Sequence, residues 1–112
     1  MGYIPPFTKS ITIASGGTTS EAIPTYHGTI LGFRTPAALT STAITFTGSA
    51  TATGTFVPIY DSEGNQVSVT VTTSRGYTLS GSDADAILGH PFIKFVGGSA
   101  EGADRSISVT IR

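Results

Sequence analysis

The chain has 112 residues, enough for one domain with a single hydrophobic core, and its 6 basic and 7 acidic residues leave a formal net charge of -1. That balance excludes the broad positive field that holds nucleic acids or anionic membranes, and the absence of cysteine excludes disulfide bonds and thiolate metal sites. No segment approaches the roughly 20 apolar residues of a membrane-spanning helix, and the first residues lack the pattern of a signal peptide. We therefore expect no nucleic-acid or membrane partner, and folding in a reducing cytoplasm.

The composition also predicts self-association. Only 12% of the residues are charged, whereas 19 are threonine and 13 are serine. Domains that stay dispersed in solution usually keep near a quarter of their residues charged. A neutral, hydroxyl-rich surface is typical of a protein that packs against copies of itself or against a large assembly, so we predict a homo-oligomer, with a trimer favoured.

Residues 1–7 are predicted to form an extended N-terminal arm, because Pro5 and Pro6 exclude both a helix and an interior strand there. The arm carries three large apolar side chains, Tyr3, Ile4 and Phe7. Two interpretations remain open. These side chains fold back over one end of the domain, or they contact a neighbouring subunit or particle.

Residues 8–112 are predicted to form a single domain that begins with short strands. Apolar and polar residues alternate over residues 8–14 and 42–47, and a further strand is predicted over residues 29–34. Residues 36–39 are expected to form a loop or a single helical turn, and the small polar residues 48–54 a loop. Residues 55–60 and 66–71 then predict a complete β-hairpin around a turn in which Gly64 takes the left-handed conformation.

After the hairpin, residues 76–79 predict a short strand and residues 82–89 the helix of the chain, with Ser82 as N-cap and Gly89 as its stop. Residues 92–96 predict a strand buried on both faces apart from Lys94, and residues 105–112 the last strand. About eight strands result. The predicted fold class is all-β: an antiparallel two-sheet sandwich, jelly-roll-like or immunoglobulin-like, with one short helix.

No group of residues predicts catalysis or a metal site. The turn at residues 61–65 lacks the downstream acid of a calcium loop, and neither His27 nor His90 belongs to a nucleophile or metal motif. We therefore predict that the protein is not an enzyme and needs no metal or cofactor. Tyr26, Tyr60 and Tyr77 are candidate glycan contacts, since aromatic faces stack on sugar rings.

Several segments together resemble a family of small proteins encoded in tailed-bacteriophage and prophage genomes. They are Leu-Gly-Phe at 31–33, Thr-Pro-Ala-Ala-Leu at 35–39, Ile-Thr-Phe at 44–46, Ile-Tyr-Asp-Ser-Glu-Gly at 59–64, Phe-Ile-Lys-Phe at 92–95 and Ala-Asp-Arg-Ser-Ile at 103–107. The resemblance spans residues 11–112. Leu39 departs from the family, in which an aromatic residue is often found at that place.

The resemblance implies a virion structural protein, similar in kind to the decoration or cement proteins that cap phage capsids as trimers. The implied partners are copies of this chain and the major capsid protein, and the implied location is the capsid surface. Two alternatives stay open: a tail or baseplate accessory module, and a carbohydrate-binding module for attachment to the host surface. Tyr3, Ile4 and Phe7 are the candidate partner contacts.

Overall fold

The computed structural model of the chain describes residues 6–25, 28–79 and 81–112, with the backbone alone at Ser82. The strands are β1 (Phe7–Ile13), β2 (Ile23–Pro24), β3 (Ile30–Arg34), β4 (Ala43–Ser49), β5 (Val57–Pro58), β6 (Ser68–Thr70), β7 (Gly76–Thr78), β8 (Phe92–Gly97) and β9 (Arg105–Ile111). Within these residues there is one helix, α1 (Gly81–Leu88), between β7 and β8. The predicted all-β fold class is confirmed.

The strands form two antiparallel sheets that pack face to face. The first sheet has the order β1-β9-β3-β7, and the second has the order β2-β8-β4-β5, with β6 also paired to β4. Most connections cross from one sheet to the other, so strands that are distant in sequence become neighbours. This winding is the strand order of a jelly roll, which decides between the two sandwich types that the sequence left open.

Strands β5 and β6 are two halves of one interrupted edge strand. Val57 and Pro58 pair with one half of β4, and residues 68–70 pair with the other half in the same direction. Between them, the Ile59 amide donates to the Phe46 carbonyl at 3.0 Å, so Ile59 still follows the β4 edge. Residues 60–66 leave the sheet as an inserted turn.

The predicted hairpin of residues 55–60 and 66–71 is therefore wrong in its extent. Direct pairing between its arms is limited to a bridge from Tyr60 to Gln66 and a 3.0 Å bond from the Val67 amide to the Ile59 carbonyl. Both arms instead satisfy their backbone groups on β4, a central strand with a free edge that is long enough for both. The turn itself is as predicted, with Gly64 at φ 83°.

The core fills the space between the sheets with alternate side chains from each strand. Three aromatic rings lie at its centre: Phe95 packs edge-on against Phe33 at 5.3 Å and against Phe46 at 4.8 Å between ring centroids. All three side chains are at most 1% exposed. Such edge-to-face packing adds to the stabilisation that comes from burying the rings themselves.

The prediction that β8 is buried on both faces is wrong. Ile93, Phe95 and Gly97 are buried, whereas Phe92, Lys94 and Val96 are half-buried on the outer face of the second sheet. A two-layer sandwich covers only the inner face of each sheet, so even an apolar strand alternates in burial. The Lys94 ammonium lies 4.3 Å from the centroid of the Phe56 ring on that outer face.

Several boundaries also differ from the predictions. Residues 36–39 form a loop, which is one of the two forms predicted for them, and the helix spans residues 81–88 rather than 82–89, with Asp83 in its first turn. The side chain of Ser82, the predicted N-cap, lies outside the described atoms. Strand β4 continues through Gly48 and Ser49, which were predicted to be loop.

The first strand begins one residue earlier than the sequence predicts. Phe7 pairs with Ile111 as the first residue of β1, so it belongs to the sheet rather than to the arm. The remaining candidate arm contacts, Tyr3 and Ile4, lie outside the described residues, as do Tyr26 and His27.

Candidate binding surfaces

A groove opens between the edge strands of the two sheets at the end where the chain enters the fold. We call it the β1–β2 groove; its volume is about 140 Å³, and it is lined by Phe7, Lys9, Ile23, Pro24 and Ile111. Phe7 and Lys9 face the same side of β1 as the buried Ile11 and Ile13, because side chains alternate along a strand. Yet Phe7 is 47% exposed, so the inner face of β1 is uncovered at this end.

Within residues 6–25, 28–79 and 81–112, no strand pairs with the outer edge of the same stretch of β1. Ile11 and Ile13 bond to β9 in the antiparallel ladder, so the amides and carbonyls of Thr8, Ser10 and Thr12 point away from the sheet. The Thr12 amide donates to the Glu21 carboxylate at 2.6 Å, and Ile13 forms a bridge with Ser20. These contacts cover the second half of the edge, whereas no described residue pairs with the outward amides and carbonyls of Thr8 and Ser10.

The two described tyrosines among the glycan candidates have different surroundings. The Tyr77 ring stacks on Phe33 with 5.4 Å between centroids, and its hydroxyl accepts a 2.8 Å hydrogen bond from the Thr72 amide. Tyr60, in contrast, is 55% exposed at the start of the inserted turn on the second sheet. The structure places these tyrosines on different sheets, and the Tyr77 ring is committed to covering the core.

A second depression lies on the outer face of the first sheet. Gly32 pairs with Thr78 on one side and with Thr110 on the other, and all three residues line the depression. The cleft has a volume of about 320 Å³, and Arg34 and Gly76 extend it along the sheet. It presents hydroxyl groups and one guanidinium.

Glu101 is a buried carboxylate that the sequence analysis did not single out. Its Oε1 accepts hydrogen bonds from the Thr40 amide at 2.8 Å and from Arg105 Nε at 3.0 Å. Its Oε2 accepts from the Ser41 amide at 2.9 Å and from the Ser41 hydroxyl at 2.7 Å. The residue is 2% exposed, so four donors replace the water that this carboxylate has lost.

Glu101 also joins three connections at one end of the sandwich. The Gly16 amide donates to its carbonyl at 2.6 Å, and its own amide donates to Gly17 at 3.0 Å. Burial by itself would raise the pKa of Glu101, but the hydrogen bonds from Thr40, Ser41 and Arg105 outweigh it and lower the pKa to about 2. Both carboxylate oxygens accept two hydrogen bonds within the protein, so the role of Glu101 is structural. The signal in the sequence was an acid four residues before Arg105 in a loop of small residues.

The other polar residues considered from the sequence have local roles. The Asp61 side chain accepts hydrogen bonds from the Glu63 and Asn65 amides, both at 2.9 Å, and thereby closes the inserted turn. The His90 ring packs against Gly48 in β4, and a methyl group at Gly48 would overlap it.

Across residues 6–25, 28–79 and 81–112, no three acidic or histidine side chains converge as metal ligands. The helix in this part of the chain is too short to span a membrane.

Comparison with known proteins gives one informative likeness. No model of a known protein family matches the sequence, and no curated protein matches it. Among solved structures, the SPBc2 prophage-derived protein YomS is similar, with a TM-score of 0.56 and 16% sequence identity. The match covers 100% of this chain and 99% of YomS, so the two proteins share their fold from end to end.

Proposed function

We propose that this protein is a structural component of a phage or prophage particle, where it decorates the capsid surface beside the major capsid protein. The observation that carries the proposal is the end-to-end likeness in fold to a prophage-derived protein of the same size. The sequence segments that resemble tailed-phage proteins support the proposal independently of the fold. They include Ile-Tyr-Asp-Ser-Glu-Gly, which leads into the inserted turn, and Phe-Ile-Lys-Phe, which belongs to β8.

The surface chemistry supports a role in packing rather than in turnover. The carboxylates of Asp61 and Glu101 are both used in hydrogen bonds within the chain, and the Tyr77 ring covers the core. Large apolar side chains are exposed at Phe7, Val57, Tyr60 and Leu88, between 45% and 55% each. In a chain with few charged residues, such side chains are suited to contacts with neighbouring subunits.

The decisive experiment uses particles that lack this protein. Purified protein is added to heads and tails from a phage or prophage in which its gene is deleted, and bound protein is measured by co-sedimentation and electron microscopy. We expect saturable binding to heads and a higher temperature for release of the packaged DNA. Binding to tails alone would overturn the capsid assignment in favour of an accessory tail module. Absence of the chain from purified wild-type particles, measured by mass spectrometry, would overturn the virion role itself.

A matched pair of variants tests the glycan alternative in a second assay, the attachment of decorated particles to host cells. Tyr60→Ser removes the exposed ring of the inserted turn, and Val57→Ser removes an apolar group of similar exposure from the neighbouring strand. If attachment to host cells depended on a stacked sugar, Tyr60→Ser would abolish it and Val57→Ser would not. We expect both variants to bind heads.

A further inference from the structure

We propose that the β1–β2 groove binds the N-terminal segment, residues 1–4, of a second copy of this chain, which adds to β1 as an extra strand. The inference goes beyond the virion role, since it concerns how copies of the protein bind one another. It rests on two features that lie side by side: an apolar surface that is exposed, and a strand edge that no described strand pairs with.

The apolar feature is the inner face of β1 ahead of Ile11. Phe7 and Lys9 point between the sheets, but the opposite strand β2 is only two residues long and ends at Pro24. Ile23 and Ile111 form the floor of the groove and are 0% and 3% exposed, whereas Phe7 on its rim is 47% exposed. An apolar side chain from another segment would complete the layer.

The backbone feature is the free edge beside that groove. The outward amides and carbonyls of Thr8 and Ser10 can accept a short antiparallel or parallel strand. Strand addition of this kind takes its affinity from backbone hydrogen bonds and its specificity from alternate side chains. Here, the alternate side chains of the added strand would enter the β1–β2 groove.

The segment at residues 1–4 fits this site, with Tyr3 and Ile4 as apolar side chains and no proline among its first four residues. To pair with the edge of its own β1, the segment would have to reverse direction within Pro5 and Pro6. Proline is disfavoured at the second central position of a tight turn, because it forces the residue before it out of the helical region. The occupant is therefore a second copy, and each copy offers one segment and one groove, an arrangement that closes as an exchanged dimer or a ring, including the predicted trimer.

Disulfide trapping tests the proposal, because the native chain contains no cysteine. Tyr3→Cys protein is mixed with Lys9→Cys protein at tens of micromolar under mild oxidation, and covalent products are resolved by denaturing electrophoresis and mass spectrometry. We expect a bond from residue 3 of one copy to residue 9 of another. In the double variant Tyr3→Cys/Lys9→Cys, a bond within a single chain would overturn the proposal by showing that the segment folds onto its own groove. Absence of any bond between residues 3 and 9 would also overturn it.

Matched substitutions test the groove without cysteines. Phe7→Ser and Val57→Ser remove apolar side chains that are 47% and 49% exposed on different edges. We expect Phe7→Ser to weaken self-association by about tenfold in sedimentation equilibrium, and Val57→Ser by less than about twofold. Ser10→Pro removes an outward amide and should act like Phe7→Ser, since proline is tolerated on a strand edge. Equal effects of Phe7→Ser and Val57→Ser would contradict the groove. No particle is involved, so this proposal can fail while the virion role stands.

Discussion

At the scale of single residues, Glu101 is a polar side chain whose replacement we expect to destabilise the fold strongly. Glu101→Gln keeps the shape of the side chain but replaces one carboxylate oxygen by an NH2 group. That group is a donor, and it would face the two donors from which the oxygen now accepts hydrogen bonds. A buried donor left without an acceptor destabilises by about 1–3 kcal/mol, and more when a charge-assisted bond is lost. We expect the free energy of unfolding in urea at pH 7 to fall by about 3 kcal/mol. Glu63→Gln, at an exposed position of the inserted turn, is the control and should change it by less than about 0.5 kcal/mol.

The low pKa of Glu101 also predicts how stability depends on pH. The pKa lies at about 2 in the folded protein against 4.5 for the unperturbed group, so the stabilisation is present above pH 4.5 and lost as pH falls toward 2. The difference corresponds to roughly 3 kcal/mol. Thermal unfolding measured from pH 6 down to pH 2 should therefore show a steeper loss of stability for the native chain than for Glu101→Gln. Parallel curves would show that other carboxylates dominate the acid response.

Gly32 is the residue at which we expect a single added methyl group to be least tolerated. A Cβ there would overlap the carbonyl oxygen of Tyr77, a backbone atom that can move only if β3 and β7 separate. Overpacking of this kind typically destabilises by about 1–3 kcal/mol. Gly32→Ala should lower the urea midpoint accordingly, whereas Gly102→Ala, with no atom within 4 Å of its added Cβ, should leave it unchanged. A neutral Gly32→Ala would mean that β7 is loosely held.

The sequence predicts some of these residue-level features and not others. Asp61 and Gly64 were recognisable because a turn is a local structure, whose hydrogen bonds are made by neighbours in the chain. Thr40 and Ser41, which bond to Glu101, lie some 60 residues before it in the chain, and no local sequence pattern predicts a contact over such a separation. Ile23 and Ile87 are core residues that periodicity does not predict, because it does not show which segments a neighbouring layer covers.

At the scale of elements, the interrupted edge strand makes a specific prediction. Residues 60–66 leave the sheet between Ile59 and Val67, which are joined by a 3.0 Å backbone hydrogen bond. Replacing the seven residues by Asn-Gly should close the same ends with a two-residue turn and leave β5 and β6 in place on β4. We expect cooperative urea unfolding within about 1 kcal/mol of the native chain, because shortening the loop also lowers its closure entropy.

The partner of Ser68 distinguishes the interrupted strand from the hairpin that the sequence predicted. Ser68 lies opposite Thr45 of β4, whereas a hairpin of residues 55–60 and 66–71 would place it opposite Pro58. The pair Thr45→Cys/Ser68→Cys should therefore form a disulfide bond under mild oxidation, and a bond in the pair Pro58→Cys/Ser68→Cys instead would support the hairpin. The sequence could not make this distinction, because alternation identifies the strands and their inward residues without saying which strand each one pairs with.

At the scale of the whole molecule, strand number and layer count were predictable, whereas strand order was not. Alternating apolar residues in β1, β4 and β9 predict two sheets around one core. The pairing of β1 with β9, from opposite ends of the chain, depends on packing that only the three-dimensional fold reveals. This pairing also places Phe7 at the outer edge of the first sheet, and it makes the surface around Phe7 a candidate site for assembly.

The N-terminal segment provides the last prediction, which connects the fold to assembly on the particle. Because Phe7 pairs with Ile111, a truncation that tests the segment must stop before it, and we choose deletion of residues 1–5. Removing residues outside the described sheet ladder should leave the melting temperature within about 2 °C of the native value. If the segment joins copies or anchors them to the capsid, the truncated protein should be monomeric in sedimentation and should fail to bind heads in the add-back assay. A truncated protein that stays folded and still decorates heads at full occupancy would show that the segment has no part in assembly.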